Sequence, residues 1–198
     1  LIIGFQNTTT GNVFSAVIGI ALIAAYRLLG ASWLIMKTEG ALQLKAVEWA
    51  KRSLWLTALG VVAISIGTPW ASPRIFEKWF SFPNVIMLLP IPLMTLVLFL
   101  VISRSLNRLP SRLHAGNQYG AAVPFMASIG IFLLSSYGLG YSLFPWLVID
   151  KLNFWQAASS PEALLVIFCG VAVVFPVIIA YTAFAYRVFW GKSTAPQY

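Results

Sequence analysis

The sequence predicts an all-α integral membrane protein of about five transmembrane helices, a four-helix bundle plus an additional helix. Three observations carry that expectation. Hydrophobic residues make up 60% of the chain and charged residues 9%, well outside the range of soluble domains. Apolar runs that match the roughly 20 residues needed to cross a hydrocarbon core recur along the whole length. The 13 Lys and Arg, against 5 acids, fall almost entirely in the connections between those runs. The net charge of +8 therefore reads as a topology signal rather than as a nucleic-acid surface.

Residues 1–198 read as a single transmembrane domain with spans at about 14–36, 54–71, 85–103, 121–148 and 163–190. Toward its end the first span carries Gly30, Ala31 and Ser32, small residues that let a neighbouring helix backbone approach closely in lipid. Trp33 after them marks the headgroup level, and Lys37 and Glu39 mark water. The amphipathic, charged segment 41–52 is expected to run along the membrane surface. The short second span gains reach if Lys51 and Arg52 snorkel. Pro90 and Pro92 in the third span, Pro124 in the fourth and Pro176 in the fifth are expected to kink their helices. Gly138 and Gly140 near the end of the fourth span are further candidates for close helix contact. Ser160, Pro161 and Glu162 read as N-cap, first helical residue and first-turn acid of the fifth span.

The connections rich in Lys and Arg are the first, with Lys37, Lys45, Lys51 and Arg52, the third, with Arg104, Arg108 and Arg112, and the tail, with Arg187 and Lys192. These are expected on the cytoplasmic side, which puts the start of the chain outside and its C-terminus in the cytoplasm. The chain opens at Leu1 without a basic stretch ahead of a cleavage site, so it does not read as a signal peptide, and a fragment of a longer protein is expected.

The inventory of chemical groups is sparse. The only histidine, His114, reads as a turn residue in the Arg-rich third connection, not as a haem ligand inside a span. Met36, Met87, Met94 and Met126 read as packing residues, and the single Cys169 as a small hydrophobe in an apolar helix. The acids Glu39, Glu48, Glu77, Asp150 and Glu162 lie in or beside connections, so none is placed for a proton relay at membrane depth. No nucleophile constellation or Gly-rich phosphate loop is present, and Asn7-Thr8-Thr9 matches the glycosylation acceptor pattern only as a common three-residue motif. Arg27 breaks the pattern. It lies ten residues before Lys37, about 15 Å at helical rise, and so near mid-bilayer. Two readings stand open for it: a buried cation facing a partner, cofactor or water path, or a snorkelling Arg on a helix whose boundary lies earlier.

Three stretches carry a resemblance. The first is Gly30-Ala31-Ser32-Trp33-Leu34-Ile35-Met36-Lys37-Thr38-Glu39-Gly40, followed by Leu42 and Gln43. The second is Gly138-Leu139-Gly140-Tyr141-Ser142-Leu143-Phe144-Pro145. The third is Trp155-Gln156-Ala157-Ala158-Ser159-Ser160-Pro161, with a last span ending in Tyr181-Thr182-Ala183-Phe184 and Tyr186-Arg187-Val188-Phe189. In order and spacing the chain resembles the C-terminal part of subunit II of cytochrome bd-type quinol oxidases, closest to the cyanide-insensitive branch. The resemblance implies a bacterial inner-membrane complex of two large, similarly folded subunits, which oxidises quinol, reduces dioxygen to water and contributes to the proton gradient. It implies that haems b and d and the quinol-oxidising loop belong to the partner, subunit I, and that this chain binds no haem. A small accessory subunit and a structural quinone or lipid in an apolar groove are compatible with it. The Asp-bearing helices that the family associates with a proton path lie in the half absent here, so no catalytic residue is carried over. Arg27 stands where the family has an uncharged residue. The rival readings are a fragment of a polytopic permease and a structural assembly factor without a respiratory role. A permease would show paired intramembrane charges or broken helices in matching halves, to which only Arg27 and Pro90-Ile91-Pro92 correspond.

Overall fold

A computed structural model describes residues 9–71, 73–148, 152–188 and 191. Asn7, Asp150, Lys151, Lys192 and the last two residues of the expected fifth span lie outside them. The described chain is an all-α membrane protein whose helices run α1 (Thr9–Lys37), α2 (Gly40–Ala71), α3 (Pro73–Phe80), α4 (Asn84–Leu88), α5 (Pro90–His114) and α6 (Val123–Leu143). A two-stranded antiparallel ribbon of β1 (Trp146–Val148) and β2 (Leu152–Asn153) follows, then α7 (Phe154–Ala157) and α8 (Pro161–Val188). Five segments are long and apolar enough to cross a membrane: Ser15–Lys37, Gly40–Thr68, Asn84–His114, Val123–Leu143 and Pro161–Val188.

The chain divides into two compact units, one ending at Phe144 and the other beginning at Pro145. In the first, α1 packs chiefly on α2 and α5 on α6, while α2 meets α5 and α1 meets α6, which makes a four-helix bundle. The spacing of small and apolar residues dictates this arrangement. Ala21, Ala24, Leu28, Ala31 and Ile35 are buried on α1 at alternating steps of three and four, the spacing of a helix seam. On α2 the same rhythm runs through Ala46, Ala50, Ser53, Thr57 and Gly60. Ile102, Leu106 and Leu109 of α5 and Ala127 and Ile131 of α6 complete the core.

Several boundaries differ from expectation for local reasons. Residues 41–52 form no separate surface helix. They are the first turns of α2, because Gln43, Ala46, Val47 and Ala50 continue the buried face through the charged stretch. The turn before α2 is only Thr38–Glu39, and Gly40 enters the helix at φ +70°, a left-handed conformation that favours glycine. The third span starts afresh at Pro90 and continues to His114, so Arg104, Arg108 and Arg112 are helical rather than in a loop. Pro124 does not kink the fourth span. It occupies the first turn of α6, where its missing N–H leaves no helical bond unmade. That helix stops at Leu143, short of the expected 148, because Phe144 precedes Pro145 and is held extended. Pro176 does lie inside α8, and Pro110 lies inside α5.

The second unit has its own local order. Asn153 caps α7 reciprocally: its side chain accepts from Gln156 N at 2.8 Å, while Gln156 Oε1 accepts from Asn153 N at 3.1 Å. Ser160 Oγ accepts from Ala163 N at 3.4 Å, with Glu162 in the first turn of α8, as its sequence signature predicted. No described side chain of α8 is buried.

Ser32 Oγ and Ser53 Oγ are fully enclosed in the bundle with no hydrogen-bond partner, whereas Thr57, Thr95 and Ser128 each donate to the carbonyl four residues back. An unpaired buried hydroxyl costs about 1–3 kcal/mol. Ser32→Ala and Ser53→Ala are therefore expected to leave thermal unfolding of the purified protein unchanged or to raise its midpoint. A clear fall in either variant would show that these hydroxyls have partners.

Candidate functional site

Two polar junctions, one at each end of the bundle, hold the helices in register. At the α1–α2 turn, Gln43 is 1% exposed and its Nε2 donates to Ile35 O at 2.8 Å and to Gln118 Oε1 at 2.9 Å. One amide thus satisfies a carbonyl at the end of α1 and ties in the α5–α6 connection. Thr38 Oγ1 donates to Leu34 O at 2.7 Å, covering a second terminal carbonyl. Beside them Lys37 Nζ sits 5.3 Å from the Trp33 ring centroid, and Trp33 meets Phe125 of α6 at 5.0 Å between centroids.

At the opposite end, α3 is clamped onto the last turn of α6. Lys78 Nζ donates to Tyr141 O at 2.6 Å and to Phe144 O at 2.5 Å, and lies 4.5 Å from the Tyr141 ring centroid. A cation there meets the carbonyls that a helix C-terminus leaves unpaired, where the helix dipole also favours positive charge. Burial pulls the Lys78 ammonium below its ordinary pKa. Trp79 Nε1 donates to Ser142 Oγ at 3.0 Å, and Ser142 Oγ donates to Gly138 O at 2.7 Å. Lys78→Met is expected to free α3 while leaving the bundle folded, because its partners are backbone carbonyls at one helix end. Faster amide exchange confined to residues 73–80 and the end of α6 would confirm this, and unchanged exchange would refute it.

The residues singled out in the sequence distribute as follows. Ala31 and Ser32 are buried against the bundle, whereas a side chain at Gly30 would meet open space. Gly138 faces Ile91 of α5, with a Cβ there 3.7 Å from its side chain, and Gly140 is open. The closest approaches occur at glycines that sequence reading passed over. A Cβ at Gly60 would collide with the Cβ of Ala21 and lie 3.1 Å from its Cα, and one at Gly130 would lie 2.9 Å from Leu98 Cδ1. The seam spacing of α2 was the available signal for Gly60. Arg27 is exposed on the outer face of the bundle, with no hydrogen bond or ion pair among the described residues.

His114 ends α5, exposed, with Nδ1 2.7 Å from Pro110 O. Met87, Met94 and Met126 are exposed and Cys169 lies exposed on α8. Among the described residues, no three His, Cys, Asp or Glu come together. A shallow apolar groove along α8 is lined by Ile167, Gly170, Val171, Val174, Phe175 and Ile178.

A sequence model of the family described as cytochrome bd terminal oxidase subunit II matches residues 2–189. No curated protein sequence matches the chain.

Proposed function

The chain belongs to the cytochrome bd terminal oxidase subunit II family, and from that premise we propose that it is the non-catalytic, haem-free subunit of a quinol:oxygen oxidoreductase. Its work is to pack against the haem-bearing subunit I, exclude lipid and water from it, and keep the site of dioxygen reduction isolated. Haems b and d, and the loop that oxidises quinol, belong to the partner. The observation that carries this reading is the chemistry of the bundle interior. Among the described residues its buried polar side chains are Ser, Thr and Gln, among them Ser32, Gln43, Thr57 and Ser128. Such an interior supplies shape and register, which supports a packing role.

The small-residue positions Gly30, Gly138 and Gly140, which leave open or lightly filled surface, are proposed as approach points for helices outside this chain. The basic ends of α2 and α5 are assigned to the cytoplasmic side of the bacterial inner membrane, which puts the C-terminus of α8 there also. The apolar groove on α8 is the proposed place for a structural lipid or quinone.

The deciding experiment is purification of a tagged full-length protein from native membranes. Co-purification of a haem-bearing partner, with the reduced-minus-oxidised spectrum of haem d and quinol-dependent oxygen consumption, is the expected result. A preparation with neither haem-bearing partner nor haem d would sink the oxidase reading. Haem that stays with this chain after the subunits are separated would sink its haem-free role.

A further inference from the structure

The surface of the α1–α2 hairpin carries a second feature that the packing role does not use. On α1, Ile20, Ile23, Arg27 and Gly30 are exposed at steps of three, four and three, so they share one face. On α2, Trp49, Arg52, Leu56 and Leu59 are exposed at the same steps. Each of these residues directly precedes a buried seam residue: Ala21, Ala24, Leu28 and Ala31 on one helix, Ala50, Ser53, Thr57 and Gly60 on the other. Because the helices are antiparallel and each row is displaced one position from its seam, both rows turn to the same side of the hairpin.

The contact of Gly60 with Ala21 fixes their relative height. From that contact, Arg27 lies six residues along α1 toward the turn and Arg52 eight residues back along α2, about 9 and 12 Å at helical rise. The two guanidinium groups thus originate within about 3 Å of one level on adjacent helices. Neither has a hydrogen bond or ion pair among the described residues, and Glu48, one turn from Arg52, pairs with neither. On this face the Arg pair stands between Trp49, nearer the turn, and the exposed apolar track of Leu56, Ile23, Leu59 and Ile20, a polar point at the head of an apolar row.

We propose that Arg27 and Arg52 together bind the phosphodiester of an anionic phospholipid in the leaflet at the α1–α2 turn, with its acyl chains lying along Ile20, Ile23, Leu56 and Leu59. Two unpaired cations side by side repel one another, and a phosphate that accepts from both forks relieves that repulsion. A protein carboxylate offers one charge at a point, whereas this surface matches a polar head over two apolar tails.

The test uses the full-length protein with its partner subunits, delipidated in detergent and returned to nanodiscs of phosphatidylglycerol or phosphatidylcholine. Native mass spectrometry then counts the lipid that each sample retains. Wild type is expected to retain phosphatidylglycerol in preference, undisturbed by millimolar inorganic phosphate. The preference should fall roughly fivefold for each of R27Q and R52Q, and R27K/R52K should keep most of it. Equal retention of both lipids by wild type overturns the proposal without recourse to any variant. An undiminished preference in R27Q/R52Q also overturns it, as does displacement by inorganic phosphate. Loss of a partner subunit from that variant with lipid preference intact would assign the two arginines to a protein contact instead.

Discussion

Gly60→Leu is expected to prevent α1 and α2 from closing, and to remove most of the folded protein from detergent extracts. The reason lies in the seam. Even the first carbon of a side chain at Gly60 would overlap the Cβ of Ala21 and approach its Cα to 3.1 Å, so the obstacle is a Cβ fixed to the backbone and not a movable side-chain tip. Overpacking a well-fitted core costs about 1–3 kcal/mol where side chains can shift, and here they cannot. Gly60→Ala should already lower the unfolding midpoint, and Ala21→Gly in the same chain should recover much of the loss. Gly60→Ala with wild-type stability would overturn this account. Gly130 offers a graded comparison, because its obstacle is the end of the Leu98 side chain, which can rotate away.

Gln43→Leu is the second large effect. The leucine fills a similar volume but removes both donors, leaving Ile35 O and Gln118 Oε1 without the bonds they make at 2.8 and 2.9 Å. With two hydrogen bonds lost and the buried Ile35 carbonyl stranded, the loss should reach about 2–3 kcal/mol. Thermal unfolding of the purified complex measures the loss. Amide exchange should show the opening beginning at the end of α1 and in residues 115–122, not in the centre of the bundle. A midpoint within error of wild type would show that Gln43 only fills space.

The helices themselves were legible because their cause is local. Apolar length and the position of charge located all five spans, and the motifs around residues 30–43 and 138–161 pointed to the family whose sequence model spans 2–189. The misjudged edges came from reading charge as a boundary. Lys45, Lys51 and Arg52 suggested a surface segment, although Gln43, Ala46, Val47 and Ala50 carry the seam straight through it. Arg104, Arg108 and Arg112 suggested a loop, although Leu106 and Leu109 between them are core residues of α5. Pro145 was enough to end α6 at Leu143, by a rule that acts on the preceding residue. The two polar junctions could not be read in advance. Lys78 and Tyr141 are 63 positions apart and Gln43 and Gln118 are 75, and nothing in hydropathy couples such pairs.

The two-residue turn at Thr38–Glu39 has a consequence for the order in which the protein is made. It turns α1 directly back into α2, so the seam contacts next to the turn join residues close in sequence and those further out, such as Ala21 with Gly60, follow in order. Contacts of that kind form fast, since only a short loop has to close. The hairpin can zip from the turn outward while α5 is still being synthesised, and α5 and α6 then meet a template that is already assembled.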